Sequence, residues 1–229
     1  MQTRNELRQY LESLSRTATS RFDFWIRFIT HVRARSVVEI GVWKGAFAGR
    51  LLRRCTSIRS YYMVDPWRKL ENWNKPYNVD GAEFEDIFRE AMDATACAAE
   101  KRVVLRGTTA EMIGQIPDAS LDFAYIDGDH TLRGVTIDLI AIYPKLKPGG
   151  FLAGDDLEPE IWRHGQEFEP TLVFPFAAYF AEAMGMPIFA LPFQQFLIAK
   201  SAPPGEYEFT DFTGKYGDLA LRDRLRSRE

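Results

Sequence analysis

The densest chemistry in this chain is in Tyr125-Ile-Asp127-Gly-Asp129-His130. An apolar run ends there in two carboxylates and an imidazole, and histidine titrates near neutral pH, where it can take and return a proton. A second acidic pair, Asp155-Asp156, follows another apolar run, Phe151 to Ala153. Carboxylates gathered in one place repel one another unless a cation is near. Each residue alone has a plainer role: Asp129 caps the next helix, His130 donates a structural hydrogen bond, and Asp155-Asp156 makes a turn. Their joint placement carries the information.

Other strand ends continue the pattern. Ser36-Val-Val-Glu-Ile40 stops at Gly41 and is followed by Gly45, giving Glu39-x-Gly41-x-x-x-Gly45. Gly41 suits a sharp strand-to-helix turn, and Gly45 suits a close approach of ligand to backbone. A pyrophosphate-binding turn reads Gly-x-Gly-x-x-Gly. Here Glu39 stands at the first glycine position, where it would repel phosphate and attract a cationic ligand. Asp65 closes the second strand about twenty residues after the glycine turn, where an acid takes the hydroxyls of a ligand ribose. Asp65 also suits a turn before Pro66. Thr108-Thr109 follows the third strand, and Thr108 to Glu111 has the form of a capping box.

Elements that would position these residues are legible from periodicity. Residues 5–34 read as one or two amphipathic helices, with Phe22, Trp25, Ile26 and Ile29 at helical spacing. Strands are expected at 36–40, 61–64, 102–105, 121–126, 151–153, 187–191 and 195–199. Helices are expected at 46–54, 82–99, 108–116, 133–146 and 171–183, with Lys147-Pro-Gly-Gly150 as a hard stop. This alternation predicts an α/β, Rossmann-like doubly wound sheet of about seven mostly parallel strands, with helices on both faces and an N-terminal helical extension. A single domain is expected over 1–229: helices in 1–35, the core in 36–200 and a polar tail or flap in 201–229.

Glu39 to Gly45, Asp65, Ile126 to His130 and Leu146 to Asp156 together resemble the class I S-adenosylmethionine-dependent methyltransferases. More narrowly, they resemble the small-molecule O-methyltransferase branch that includes the macrolide-sugar enzymes. The resemblance covers roughly 37–200. It implies a methyl donor carrying a sulfonium and an ammonium and no phosphate, which matches the sign of Glu39. It implies donor-binding roles for Glu39, Gly41, Gly45, Asp65, Thr108, Thr109 and Asp127. It further implies Mg²⁺ held by Asp127, Asp155 and Asp156, an all-oxygen set suited to that ion. His130 would act as general base with Asp127 beside it. The acceptor is expected to be a small-molecule hydroxyl on a sugar, polyketide or catechol-like ring.

Competing readings are an NAD-dependent oxidoreductase and a non-catalytic protein that binds S-adenosylmethionine or a nucleotide. The first lacks the opening fingerprint glycine and a Tyr-x-x-x-Lys pair; the second has no need of the Asp127, His130, Asp155 and Asp156 set. A nucleic-acid methyltransferase would place Asp/Asn-Pro-Pro-aromatic where this chain has Asp127-Gly-Asp-His. Net charge is −3, so there is no global basic field for nucleic acid or an anionic membrane. Arg53-Arg54 and Arg222 to Arg228 read as a solvated helix face and a charged tail. Cys55 and Cys97 show neither C-x-x-C nor zinc spacing and are expected to be free thiols. With no signal-peptide core and no apolar run long enough to span a bilayer, a soluble cytoplasmic protein is expected. Apolar residues of the N-terminal helices leave room for a homodimer. Trp162, Arg163 and His164, or Phe22, Phe24 and Trp25, are candidates for the acceptor wall, core packing being the commoner use of the aromatic stripe.

Overall fold

The computed structural model describes residues 3–201 and 205–216. Two N-terminal helices come first, α1 (Arg4–Thr17) and α2 (Arg21–Val32). Ser20 starts α2 by accepting a hydrogen bond from the Asp23 N–H. Strands and helices then alternate: β1 (Ser36–Ile40), α3 (Ala46–Arg54), β2 (Ser60–Asp65), α4 (Gly81–Ala94), β3 (Arg102–Arg106) and the short α5 (Thr109–Met112). They continue as β4 (Leu121–Ile126), α6 (Leu132–Ile142), β5 (Leu146–Gly154), α7 (Val173–Ala183), β6 (Pro187–Leu191), β7 (Gln195–Ala199) and β8 (Glu208–Asp211).

These strands form one sheet in the order β3-β2-β1-β4-β5-β7-β6-β8. The first five pair in parallel, β7 is antiparallel to both β5 and β6, and β8 lies parallel to β6 at the edge. The strand order reverses direction between β1 and β4, which places the ligand crevice at their carboxyl ends.

Side chains alternate across the sheet as period two requires. Val37, Tyr61, Phe123, Tyr125 and Leu197 face one core with Leu11, Phe24, Trp25, Phe28, Phe47 and Leu51. Val38, Ile40, Ala124, Ile126 and Ile198 face the other with Val135, Leu139, Val173 and Ala177. The N-terminal helices are therefore a layer of the fold. Fully burying each large side chain of this layer is worth roughly 1.5–3 kcal/mol. Phe24 and Trp25 belong to this core and not to an acceptor wall. None of the large exposed apolar side chains among the described residues lies in α1 or α2.

The structure corrects several boundaries. Lys147-Pro-Gly-Gly150 is not a stop but part of β5, accommodated by a register shift between Leu121 and Phe123 and by Gly149 at φ +82°. The helix expected to reach Leu146 ends at Ile142, with Pro144 in the 3-10 turn that follows. The helix expected to reach Ala99 ends at Ala94, with a 3-10 turn at Ala96–Ala98. Part of the expected tail is β8, which brings the sheet to eight strands among the described residues where about seven were expected; Glu208 on it pairs with Arg4 and Arg8 of α1. The cluster Arg222 to Arg228 lies outside the described residues. Cys55 is buried and Cys97 exposed, both free. No helix among the described residues is long and apolar enough to cross a membrane.

Candidate active site at the carboxyl edge of the sheet

A cavity of about 820 Å³ opens at the β1/β4 crevice. Of the expected site residues, Glu39, Gly41, Asp65, Thr108, Thr109, Asp127, His130, Asp155 and Asp156 all line it. Gly45 does not. Its φ is +71° and a Cβ there would come within 2.9 Å of the Ala91 Cα, so this glycine lets α4 pack against the start of α3. Gly41 has φ +84°, and a Cβ there would stand 2.1 Å from the Asp127 carbonyl oxygen. Only glycine brings the β1 turn this close to the end of β4.

Glu39 is 2% exposed and accepts a hydrogen bond from the Tyr61 hydroxyl at 2.6 Å. Burial pushes its carboxyl well above the usual range, and that one hydrogen bond does not restore it. A ligand cation beside it would favour the charged form. Asp65 accepts from the backbone N–H groups of Trp43 at 2.9 Å and Trp67 at 2.8 Å, tying the loops after β1 and β2 together. Burial raises its carboxyl despite these bonds. Thr108 donates its N–H to Glu111 at 2.8 Å, and Glu111 is held well down, to about 2, by Arg68 and by Thr108. Asp129 does not cap α6, whose N-cap is Thr131; it accepts from the Thr131 N–H at 3.0 Å in the turn before the helix and from the Trp73 indole at 3.0 Å.

His130 is held by Asp156: Nδ1 lies 2.7 Å from Asp156 Oδ2. Nε2 is buried without a hydrogen-bond partner, with Asp127 Oδ1 at 3.6 Å. Burial alone would lower the imidazole pKa, but the Asp156 hydrogen bond and the Asp156 and Asp127 charges more than offset it and leave it raised. Asp156 moves the other way: burial pushes it up, while His130 and Arg163 bring it below its usual value. Asp156, which the resemblance assigns to a metal, thus orients the histidine.

The sequence reading did not single out Arg21, Lys75 or Gln195. Arg21 Nη1 bonds Asp155 Oδ2 and lies 3.4 Å from Asp127 Oδ2. Arg163 bonds Asp156 Oδ1. Gln195 Nε2 donates to Asp155 Oδ1 at 2.5 Å. Lys75, 6% exposed, lines the cavity and donates to the Glu169 carbonyl oxygen at 2.6 Å. Arg21 had a signal: a cation in the first turn of a helix opposes the helix dipole and needs a reason to be there. Among the described residues, no group of three or more His, Cys, Asp or Glu stands in an arrangement that could hold a metal ion. The three carboxylates assigned to Mg²⁺ converge, but most of their oxygens are engaged by donors of this chain.

The mostly parallel sheet thus gathers a glycine turn, a buried acid and a histidine–aspartate pair around one cavity at its switch point. Residues 38–157 match the family model described as a methyltransferase domain. The chain belongs to that family. An uncharacterized protein of Sinorhizobium fredii is 26% identical over 172 residues, which is 68% of this chain. The chain spans only 17% of the length of that relative. A putative caffeoyl-CoA O-methyltransferase from Staphylococcus aureus superposes with a TM-score of 0.59 at 14% identity, covering 85% of this chain and 90% of its own. An O-methyltransferase from Bacillus cereus, solved with S-adenosylhomocysteine, does so with 0.56 at 18% identity, covering 80% and 81%. The resemblance drawn from the motifs is borne out in family and fold.

Proposed function

We propose that this methyltransferase uses S-adenosylmethionine and methylates a hydroxyl oxygen of a small molecule. The observation that carries the reading is the bare, buried Nε2 of His130, oriented by Asp156, on the wall of the cavity that also holds Glu39 and Gly41. The cavity volume suits a cofactor and a modest acceptor. Glu39 supplies the negative charge that the donor's cationic groups call for, and it faces the position where a dinucleotide would carry its pyrophosphate. Asp65 and Thr109 lie where ribose and base would rest. The bound donor supplies a methyl group on a sulfonium that departs as a neutral thioether.

His130 does the remaining work of deprotonation. Its Nδ1 proton is fixed on Asp156, so Nε2 accepts the acceptor's hydroxyl proton as the oxygen turns on the methyl carbon. Trp73, Tyr77, Arg163 and His164 wall the outer cavity and suit a ring-bearing acceptor. The resemblance adds Mg²⁺ on Asp127, Asp155 and Asp156; with Arg21 on two of these carboxylates and Arg163 on the third, the set does not fit that ion as it stands.

Calorimetric titration with S-adenosylmethionine, S-adenosylhomocysteine and NAD tests the reading. Micromolar binding of both sulfur nucleotides with no NAD heat is the expected result. NAD binding, or silence with both sulfur compounds, would overturn it. Sugars, polyketides and catechols then separate the acceptor classes by mass spectrometry of the methylated product.

A further inference from the structure

Six carboxylate oxygens converge from Asp127, Asp155 and Asp156, and the chain supplies donors to nearly all of them. Asp127 Oδ2 and Asp155 Oδ2 face Arg21 Nη1. Asp155 Oδ1 accepts from Gln195 Nε2 at 2.5 Å and from the Asp156 N–H at 2.8 Å. Asp156 Oδ1 takes Arg163, and Asp156 Oδ2 takes His130 Nδ1. Asp127 Oδ1 has no donor in hydrogen-bond range among the described residues; His130 Nε2 stands 3.6 Å from it. A divalent ion needs several such oxygens at once, at about 2.0–2.1 Å for Mg²⁺. It would also have to sit beside a guanidinium that does not deprotonate.

The position of Arg21 is built and not incidental. It is the first residue of α2, whose start is fixed by Ser20 and whose Phe24, Trp25 and Phe28 are fully buried against the sheet. The helix register therefore holds the arginine over the carboxylates. Among the described residues its hydrogen bonds use Nη1 alone.

We propose that Arg21 takes the place of a divalent cation in this protein, bridging Asp127 and Asp155, excluding a metal ion and leaving its other N–H groups for the acceptor oxygen. The inference rests on the methyl-transfer reading above. A guanidinium offers the developing oxygen anion a fixed positive charge and directed hydrogen bonds, where a metal would offer a Lewis acid. Proton transfer to His130 is unchanged.

The test is Mn²⁺ binding followed by electron paramagnetic resonance of the free ion, with protein saturated in S-adenosylhomocysteine. Wild type is expected to leave Mn²⁺ free, and Arg21→Ala is expected to bind it at least tenfold more tightly. Micromolar Mn²⁺ binding by wild type would overturn the proposal. So would the absence of Mn²⁺ binding in Arg21→Ala, because the arginine would then not be what excludes the ion. Should the alanine variant lose its circular dichroism signature, Arg21→Gln, closer in shape, is scored by the same two criteria. Calorimetry with S-adenosylhomocysteine alone keeps the outcomes apart: its failure sinks the cofactor reading, whereas the Mn²⁺ result bears on Arg21.

Discussion

Gln195 and Asp155 are joined by a hydrogen bond of 2.5 Å that ties β7 to the end of β5. The same Gln195 amide accepts from the Trp25 indole and from the Tyr125 hydroxyl, each at 2.7 Å, through its oxygen. One fully buried side chain thus couples the N-terminal helical layer, β4 and the acidic edge of the cavity. Gln195→Leu leaves the Trp25 indole N–H and the Tyr125 hydroxyl without partners, while Asp155 Oδ1 keeps the Asp156 N–H. At about 1–3 kcal/mol per orphaned buried group, the expected loss for these two is roughly 2–6 kcal/mol. Urea denaturation measures it, and a loss below about 1 kcal/mol would show that the hub is not needed.

His130→Ala should lower kcat by about 10²–10⁴, the usual share of a general base, while S-adenosylhomocysteine affinity stays within about twofold. Asp156→Asn should give a smaller drop in kcat, because it acts only through Nδ1. Steady-state kinetics with calorimetry separates the two effects. A parallel loss of cofactor binding in both variants would mean that His130 shapes the pocket instead.

Asp138 gives a pH signature. It sits in α6, 4% exposed, with Oδ2 unpartnered, and burial raises its carboxyl to about 7 despite a hydrogen bond from Thr109. Its folded pKa is above its unfolded one, so the folded state favours the neutral acid. The effect on stability is absent below about pH 4; stability then falls as pH rises toward 7, and the full cost is present above that. Asp138→Asn should therefore raise Tm at pH 8 by several degrees, for roughly 2–4 kcal/mol, and change it little at pH 4. Equal shifts at both pH values in scanning fluorimetry would refute the buried-acid account.

Gly41→Ala should abolish cofactor binding or folding, since it meets the Asp127 carbonyl at 2.1 Å with φ at +84°. Gly114→Ala, which meets nothing within 4 Å, is the matched control. Wild-type affinity in Gly41→Ala would mean that the β1 turn is free to shift.

The parallel core was legible because its strands are short apolar runs that stop at or just before glycine or aspartate, and the crevice rule then drew attention to Glu39, Asp65, Asp127 and His130. Two kinds of feature were not legible. Strand β8 is four residues, Glu-Phe-Thr-Asp, too short for period two to stand out from a polar segment. Arg21 and Gln195 reach the site across the tertiary fold; a cation at a helix start is the one local mark of Arg21, and nothing local marks the carboxylates that either residue meets. Gly45 lies off the cavity lining and against α4, and in sequence a glycine used for helix packing looks like one that lets a ligand approach.

The family model spans residues 38–157, yet Arg21 and Gln195 lie on either side of that stretch and Arg163 lies just beyond it. The matched cassette carries the Gly41 turn and His130, while the flanks carry Arg21, Arg163 and Gln195, which bond the carboxylates of the acidic edge. Two relatives with the same cassette and different flanks would inherit the same donor and diverge in how they receive an acceptor. For engineering, the flanks are the part to exchange, and a fragment cut to the cassette alone would lack the groups that close its own active site.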